Sequence, residues 1–213
     1  MPKRSVSEFF DAYSRDFSAI YGTRNTFVNR MINNLFRRSM RLRYQKTLQG
    51  CAPIAGKSVL DVGCGPGHYS VALAKAGAAR VLGVDFADAM IELARGHAEQ
   101  AGVGQQCEFI TADFFASSLP GPFDYSIVMG FMDYVREPDR VIAKVLSSTR
   151  SKAFFSFPID GGLLAWQRKL RYKRRCELFM YRRHQVEGLF KRAGARFSME
   201  EISRDFLVTA RME

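Results

Sequence analysis

Nine consecutive residues, Val59-Leu-Asp-Val-Gly-Cys-Gly-Pro-Gly67, carry the densest chemical signal in this chain of 213 residues. An apolar run ends in the carboxylate of Asp61, and Gly63, Gly65 and Gly67 then punctuate a turn into a helical pattern. Glycine there lets a ligand lie against bare backbone and permits dihedrals closed to other residues. A carboxylate at the mouth of such a turn repels a diphosphate and suits a ligand bearing an ammonium group. A second carboxylate, Asp85, closes the run Val81-Leu-Gly-Val-Asp85, 24 positions after the first. It can accept two charge-assisted hydrogen bonds from the hydroxyls of an adenosine ribose, with Phe86 beside it to cover the base. A third, Asp113, closes Phe109-Ile-Thr-Ala-Asp113 and is placed to accept from the adenine amino group, next to Phe114. A Gly-x-Gly turn alone also occurs in dinucleotide sites, but those want a third glycine in Gly-x-Gly-x-x-Gly. Here that position is His68.

The elements that must position these acids follow from periodicity. Short β-branched runs at 57–62, 80–84, 107–111, 123–129 and 152–157 read as strands, separated by helical patterns at 68–76, 87–101 and 136–147. Such alternation implies a parallel sheet with helices on both faces and a ligand crevice at the carboxyl ends of the strands. A helix at 182–193 and a closing hairpin, 196–202 and 205–211, complete seven strands. Before the core, residues 25–48 read as helical, with Val28, Met31, Ile32, Leu35 and Phe36 in one apolar stripe. The expected fold is therefore α/β: a Rossmann-like, doubly wound, mostly parallel seven-stranded sheet with a C-terminal β-hairpin and an N-terminal helical lid. Residues 1–50 form the lid in this reading, and 51–213 the catalytic domain, with a basic insertion at 158–180.

Residues 55–157 resemble the core of the class I S-adenosylmethionine-dependent methyltransferases, on four segments. These are the Asp-Val-Gly-Cys-Gly-Pro-Gly loop, the Val84–Met90 run, Thr-Ala-Asp-Phe at 111–114, and the strand Phe123–Val128. The resemblance implies S-adenosyl-L-methionine as cofactor. It places Gly63, Cys64 and Gly65 on the methionine part with Asp61 behind them, and Asp85 on the ribose. Phe86 and Met90 then pack on the nucleoside, Asp113 and Phe114 meet the adenine, and Met129 lies near the sulfonium. The wider layout is similar to magnesium-protoporphyrin and ubiquinone-pathway O-methyltransferases, which share the Phe9–Tyr13 opening, Ile-Tyr-Gly at 20–22 and a basic helix before the core. By likeness to the ubiquinone-pathway group, Arg43 (or Arg41) pairs with the cofactor carboxylate. The porphyrin enzymes carry a histidine after the fourth strand. The run here is Phe131-Met-Asp133-Tyr134, without one. Asp133, Tyr134 and Tyr21 are the candidates for acceptor binding or deprotonation, with Tyr13 and Tyr21 in the lid.

Composition bounds the rest. The chain is 47% hydrophobic and 25% charged, which suits a soluble domain with a sizeable core. Cys51, Cys64, Cys107 and Cys176 form no Cys-x-x-Cys pair, and His68, His97 and His184 are the chain's histidines. No dedicated metal site is expected, and a reducing cytoplasm is the expected home. The net charge of +11 divides as +7 over residues 1–50, −2 over 51–157 and +6 over 158–213. These basic flanks, with Trp166, Leu170 and Tyr172 interleaved, predict an anionic or lipid-like small acceptor or peripheral contact with a membrane. Methyl transfer at oxygen is favoured over nitrogen or carbon. The alternatives are a nucleic-acid methyltransferase, a non-catalytic cofactor-binding partner protein and a nicotinamide oxidoreductase. The first lacks the Asn/Asp-Pro-Pro-Tyr/Phe run and the Pro-Cys pair that base methylation uses, and the last is disfavoured by Asp61 and His68.

Overall fold

The computed structural model describes residues 40–162, 165, 166, 168, 170 and 177–212. Residues 40–50 form a first helix, α1. The core then alternates β1 (Ser58–Val62), α2 (His68–Lys75), β2 (Arg80–Asp85), α3 (Asp88–Gln100), β3 (Cys107–Thr111) and β4 (Phe123–Val128). A 3-10 turn, Met132–Tyr134, leads to α4 (Pro138–Ser147) and β5 (Thr149–Pro158). The chain closes with α5 (Arg183–Arg192), β6 (Arg196–Ile202) and β7 (Asp205–Arg211).

The described residues build a seven-stranded sheet in the order β3-β2-β1-β4-β5-β7-β6. The first five in this list are parallel neighbours, while β7 runs antiparallel to both β5 and β6. Central strands covered on both faces read as unbroken apolar runs, and Val59, Leu60 and Val62 are fully buried. Alternate residues of one strand serve two cores. Leu60 and Val62 pack with Val141 and Val145 of α4 and Phe190 of α5. Val59 packs with Leu73 of α2 and Ile91 and Ala94 of α3. Helix α3 buries Met90, Ile91, Ala94 and Ala98, the spacing of a single helical stripe. Pro138 starts α4 where its missing N–H has no partner to lose.

The strands agree with the sequence pattern except at β5, which begins three residues earlier than the apolar run at 152. Thr149 is buried there, its hydroxyl 2.7 Å from that of Ser126 and donating to the Val145 carbonyl. Polar side chains satisfied across strands hide the start of the strand from a hydrophobicity reading. Of the proposed lid, α1 is described, tied to the hairpin by Lys46–Glu200 and Arg43–Asp205 ion pairs. Tyr13, Tyr21 and the apolar stripe at 28–36 lie outside the described residues. The insertion leaves and rejoins the core at one place, because Ile159 and Tyr181 form a bridge and the Tyr181 amide donates to Pro158. Residues 162, 165, 166, 168 and 170 of it are helical.

Candidate cofactor-binding site

The parallel register brings the carboxyl ends of β1, β2 and β3 side by side, with Asp61 opposite Gly83 and Asp85 opposite Thr111. After β1 the amides of Gly63 and Cys64 both donate to the carbonyl of Val84, at 2.8 and 3.1 Å, so the glycine turn is pinned to β2. Gly63 and Gly65 have φ of +65° and +52°. A Cβ at Gly63 would stand 2.5 Å from the ring of Phe131, whereas at Gly65 it would meet nothing within 4 Å. Gly65 thus turns bare backbone toward open space. Asp85, 9% exposed, accepts from the amides of Gly65 at 2.9 Å and Ala87 at 3.0 Å. One carboxylate therefore fixes both the glycine turn and the first turn of α3.

These groups face a cleft of about 420 Å³, in the range of small-molecule sites. Of the residues proposed from sequence, Gly63, Gly65, Asp85, Phe86, Met90, Asp113, Phe114 and Tyr134 line it together. Asp113 uses one carboxylate oxygen to accept from the Phe115 amide at 2.8 Å. The carboxylates, the aromatic and thioether surface and the unfilled space above Gly65 fit a nucleoside carrying a polar chain.

Other proposed residues are placed behind the cleft wall. Asp61 is buried and accepts from the Ser70 hydroxyl at 2.7 Å. Cys64 turns a buried thiol toward the β2 backbone, and burial holds that thiol well above its ordinary pKa, with Asp61 and Asp85 adding to the rise. Its side chain is packing, and only its backbone belongs to the turn. Met129 is buried with its sulfur 3.8 Å from the Thr47 hydroxyl of α1. The Arg43 guanidinium reaches Ser156 at 3.3 Å and Asp205 at 3.4 Å and lies beside Gly130, which lines the cleft.

Asp133, a candidate for acceptor binding or deprotonation, is not among the residues that line the cleft. It is 3% exposed and ion-paired with Arg168 of the insertion, which also reaches Asp205 at 3.1 Å. Burial pushes the Asp133 carboxyl up, and the positive charges of Arg168 and Arg43 pull it back. The net direction is upward, with Asp205 adding to the rise. The partners Ser70, Phe131, Arg168 and Asp205 escaped the sequence reading. Only the polarity of the Ser70 position in a helix otherwise apolar on that face gave a hint.

Two measurable consequences arise here. Burial pushes Asp61 up to about 6, opposed by the Ser70 hydroxyl and reinforced by Asp85. In the unfolded chain it titrates near 3.8. The folded state therefore holds the proton more tightly, so this contribution is complete below 3.8 and is lost as pH rises through 6. The difference is worth about 3 kcal/mol at neutral pH. Thermal melts of the ligand-free protein should show Asp61→Asn more stable than the wild type at pH 7.5, with the gap closing toward pH 4.5. A gap independent of pH would refute the assignment. At Gly63, a methyl group meets both the left-handed backbone and the Phe131 ring, so Gly63→Ala should lose about 3 kcal/mol in urea denaturation.

Comparison with known proteins agrees with this geometry. The methyltransferase domain family matches residues 59–152. The ubiquinone biosynthesis O-methyltransferase of Thiobacillus denitrificans is 38% identical over 104 residues, covering 49% of this chain and 43% of that protein. The chain thus aligns with less than half the length of such relatives. Among solved structures, magnesium protoporphyrin IX methyltransferase from Synechocystis PCC 6803, with bound SAH, superposes with a TM-score of 0.77 at 22% identity, covering 98% of both chains. The [4+2]-cyclase SpnF superposes at 0.68 with 16% identity, covering 99% of this chain and 98% of that one. The fold alone therefore does not name a reaction. Residues 59–152 thus match the methyltransferase domain family, and the sheet order, glycine turn and strand-end carboxylates agree with that match.

Proposed function

We propose that this protein transfers a methyl group from S-adenosyl-L-methionine to an oxygen of a small-molecule or lipid-like acceptor. The observation that carries the reading is the gathering of Asp85 and Asp113 with Gly63 and Gly65 around one cleft, with Asp61 buried just behind it. Bound there, the cofactor supplies a methyl group on a cationic sulfur, already activated for transfer. What remains for the protein is alignment and exclusion of water. Asp85 holds the ribose hydroxyls while keeping the glycine turn closed on β2. Asp113 accepts from the adenine amino group, and Phe86, Met90 and Phe114 sandwich the nucleoside. Gly63, Cys64 and Gly65 offer backbone to the methionine part, and Asp61 supplies a negative field for its ammonium. Arg43, beside Gly130, supplies a positive one for its carboxylate. Met129 backs the sulfur end.

On the acceptor side, Tyr134, which lines the cleft, is proposed to orient or deprotonate a hydroxyl. Tyr21 is proposed to help from the lid. Transfer at oxygen is supported by the relatives named O-methyltransferases. Mixing the protein with radiolabelled cofactor and a panel of phenolic and carboxylate lipids tests this. Label should enter an ether or ester in the wild type and fall at least about tenfold in Tyr134→Phe. Label in RNA, or in no acceptor despite cofactor binding, would overturn the reading.

The basic flanks are proposed to bring the protein to an anionic lipid surface. Trp166 and Leu170 are 62% and 56% exposed at helical spacing in the insertion, whose sequence is rich in Lys and Arg. No described helix is long and apolar enough to cross a membrane. Sedimentation with vesicles should rise with anionic lipid, fall with salt, and drop in Trp166→Ser/Leu170→Ser.

A further inference from the structure

Outside the cleft, Lys144 of α4 makes an arrangement that the cofactor site depends on. After β3 the chain forms a single tight turn at 114–116. Its near end is fastened by Asp113, whose carbonyl accepts from the amides of Ala116 and Ser117 and from the Ser117 hydroxyl at 2.7 Å. Its side chain accepts from the Phe115 amide. The far end leaves carbonyls without partners in the turn, since the chain departs before a helix can form. Lys144 meets them. Its ammonium donates to Phe114 at 2.5 Å, Phe115 at 3.2 Å and Ser117 at 2.6 Å. Three N–H donors thus serve three carbonyls, which exhausts the group. The same nitrogen lies 4.9 Å from the centre of the Phe114 ring, while Arg140, one turn earlier on α4, covers Phe115 at 5.1 Å. A cation at the carbonyl end of a turn is favourably placed, and this one is anchored on a helix whose Val141, Ile142 and Val145 are fully buried.

We propose that Lys144 is a positioning residue for base recognition, holding the 113–117 turn so that Asp113 and Phe114 present a fixed edge and face to the adenine. It touches no part of the ligand. The inference rests on the proposed cofactor reading and adds that selectivity for the base is built from the opposite side of the turn. Without Lys144, three carbonyls lose their donors together, the turn loosens, and the Asp113 carboxylate no longer keeps its direction. A loosened turn still offers apolar surface to any purine but cannot choose among them.

The test compares S-adenosylhomocysteine with S-inosylhomocysteine, which carries a 6-oxo group in place of the 6-amino group, by calorimetric titration. The wild type should prefer the adenine compound by about tenfold or more. Lys144→Met should weaken adenine binding by about tenfold, leave inosine binding nearly unchanged, and so erase the preference. Lys144→Arg, which keeps the charge and several donors, should restore most of it. Hydrogen exchange at the amides of Phe115, Ala116 and Ser117 in the ligand-free protein should quicken in Lys144→Met but not in Lys144→Arg. Equal loss for both ligands, or an unchanged ratio, would overturn the proposal. A wild type that binds neither compound would instead overturn the cofactor reading. If Lys144→Met fails to fold, Lys144→Gln carries the same comparison.

Discussion

Arg168→Met is expected to lose about 3–5 kcal/mol of folding stability, read as a lowered denaturant midpoint. Arg168 joins Asp133 after β4 to Asp205 at the start of β7, and all three side chains are at least 87% buried. Removing the cation leaves the buried Asp133 without its ion-pair partner, with Arg43 its remaining positive neighbour. That loss differs from deleting a surface pair, where the expected effect is below about 1 kcal/mol. The check is a double-mutant cycle. Asp133→Asn/Arg168→Met should recover a large part of what the single change loses, because the buried charge goes with its partner. A loss near zero in Arg168→Met would mean that the insertion is not fastened through this residue.

The second large effect concerns binding. In Asp85→Ala, affinity for S-adenosylhomocysteine should fall by about two to three orders of magnitude, measured by calorimetry. Two charge-assisted hydrogen bonds to ribose hydroxyls, each contributing about 1.5–3 kcal/mol, reach that figure. The structure adds a reason for the larger end of the range. The same carboxylate holds the Gly65 and Ala87 amides, so its removal frees the turn that must receive the rest of the ligand. Asp85→Asn should fall between the two proteins, since one amide oxygen still accepts. Equal affinity in Asp85→Ala and wild type would remove the ribose assignment altogether.

How far the fold is legible in the sequence depends on which interactions leave a periodic trace. The parallel core does, because Val59–Val62, Val81–Val84 and Tyr125–Val128 are mostly apolar and each ends within two residues of a glycine or an acid. The cleft follows from that, since β1, β2 and β3 must lie side by side for their terminal acids to meet. The ion-pair cluster left no such trace. Asp133, Arg168 and Asp205 are separated by tens of residues, and each looks like an ordinary polar residue until the insertion folds back. The burial of Asp133 and its ion pair with Arg168 were therefore not legible. Lys144 was invisible for the same reason: a lysine in the last turn of a helix is unremarkable locally. Cys64 and Met129 were assigned from their place in a motif, which specifies their backbone and not where their side chains point.

The position of β7 has a consequence for how this chain is made. It is the later strand of the hairpin, yet it lies between β5 and β6 and buries Val208 and Ala210 completely. While the ribosome is still adding residues beyond 202, β5 presents an unpaired edge carrying Phe154, Phe155 and Phe157, and β6 has no neighbour to join. Exposed apolar strand edges are templates for mispairing. Non-local pairings of this kind also form late. The protein is thus most vulnerable to association until 205–211 can pair, and those seven residues fill the gap between β5 and β6, leaving β3 and β6 as the edges of the sheet.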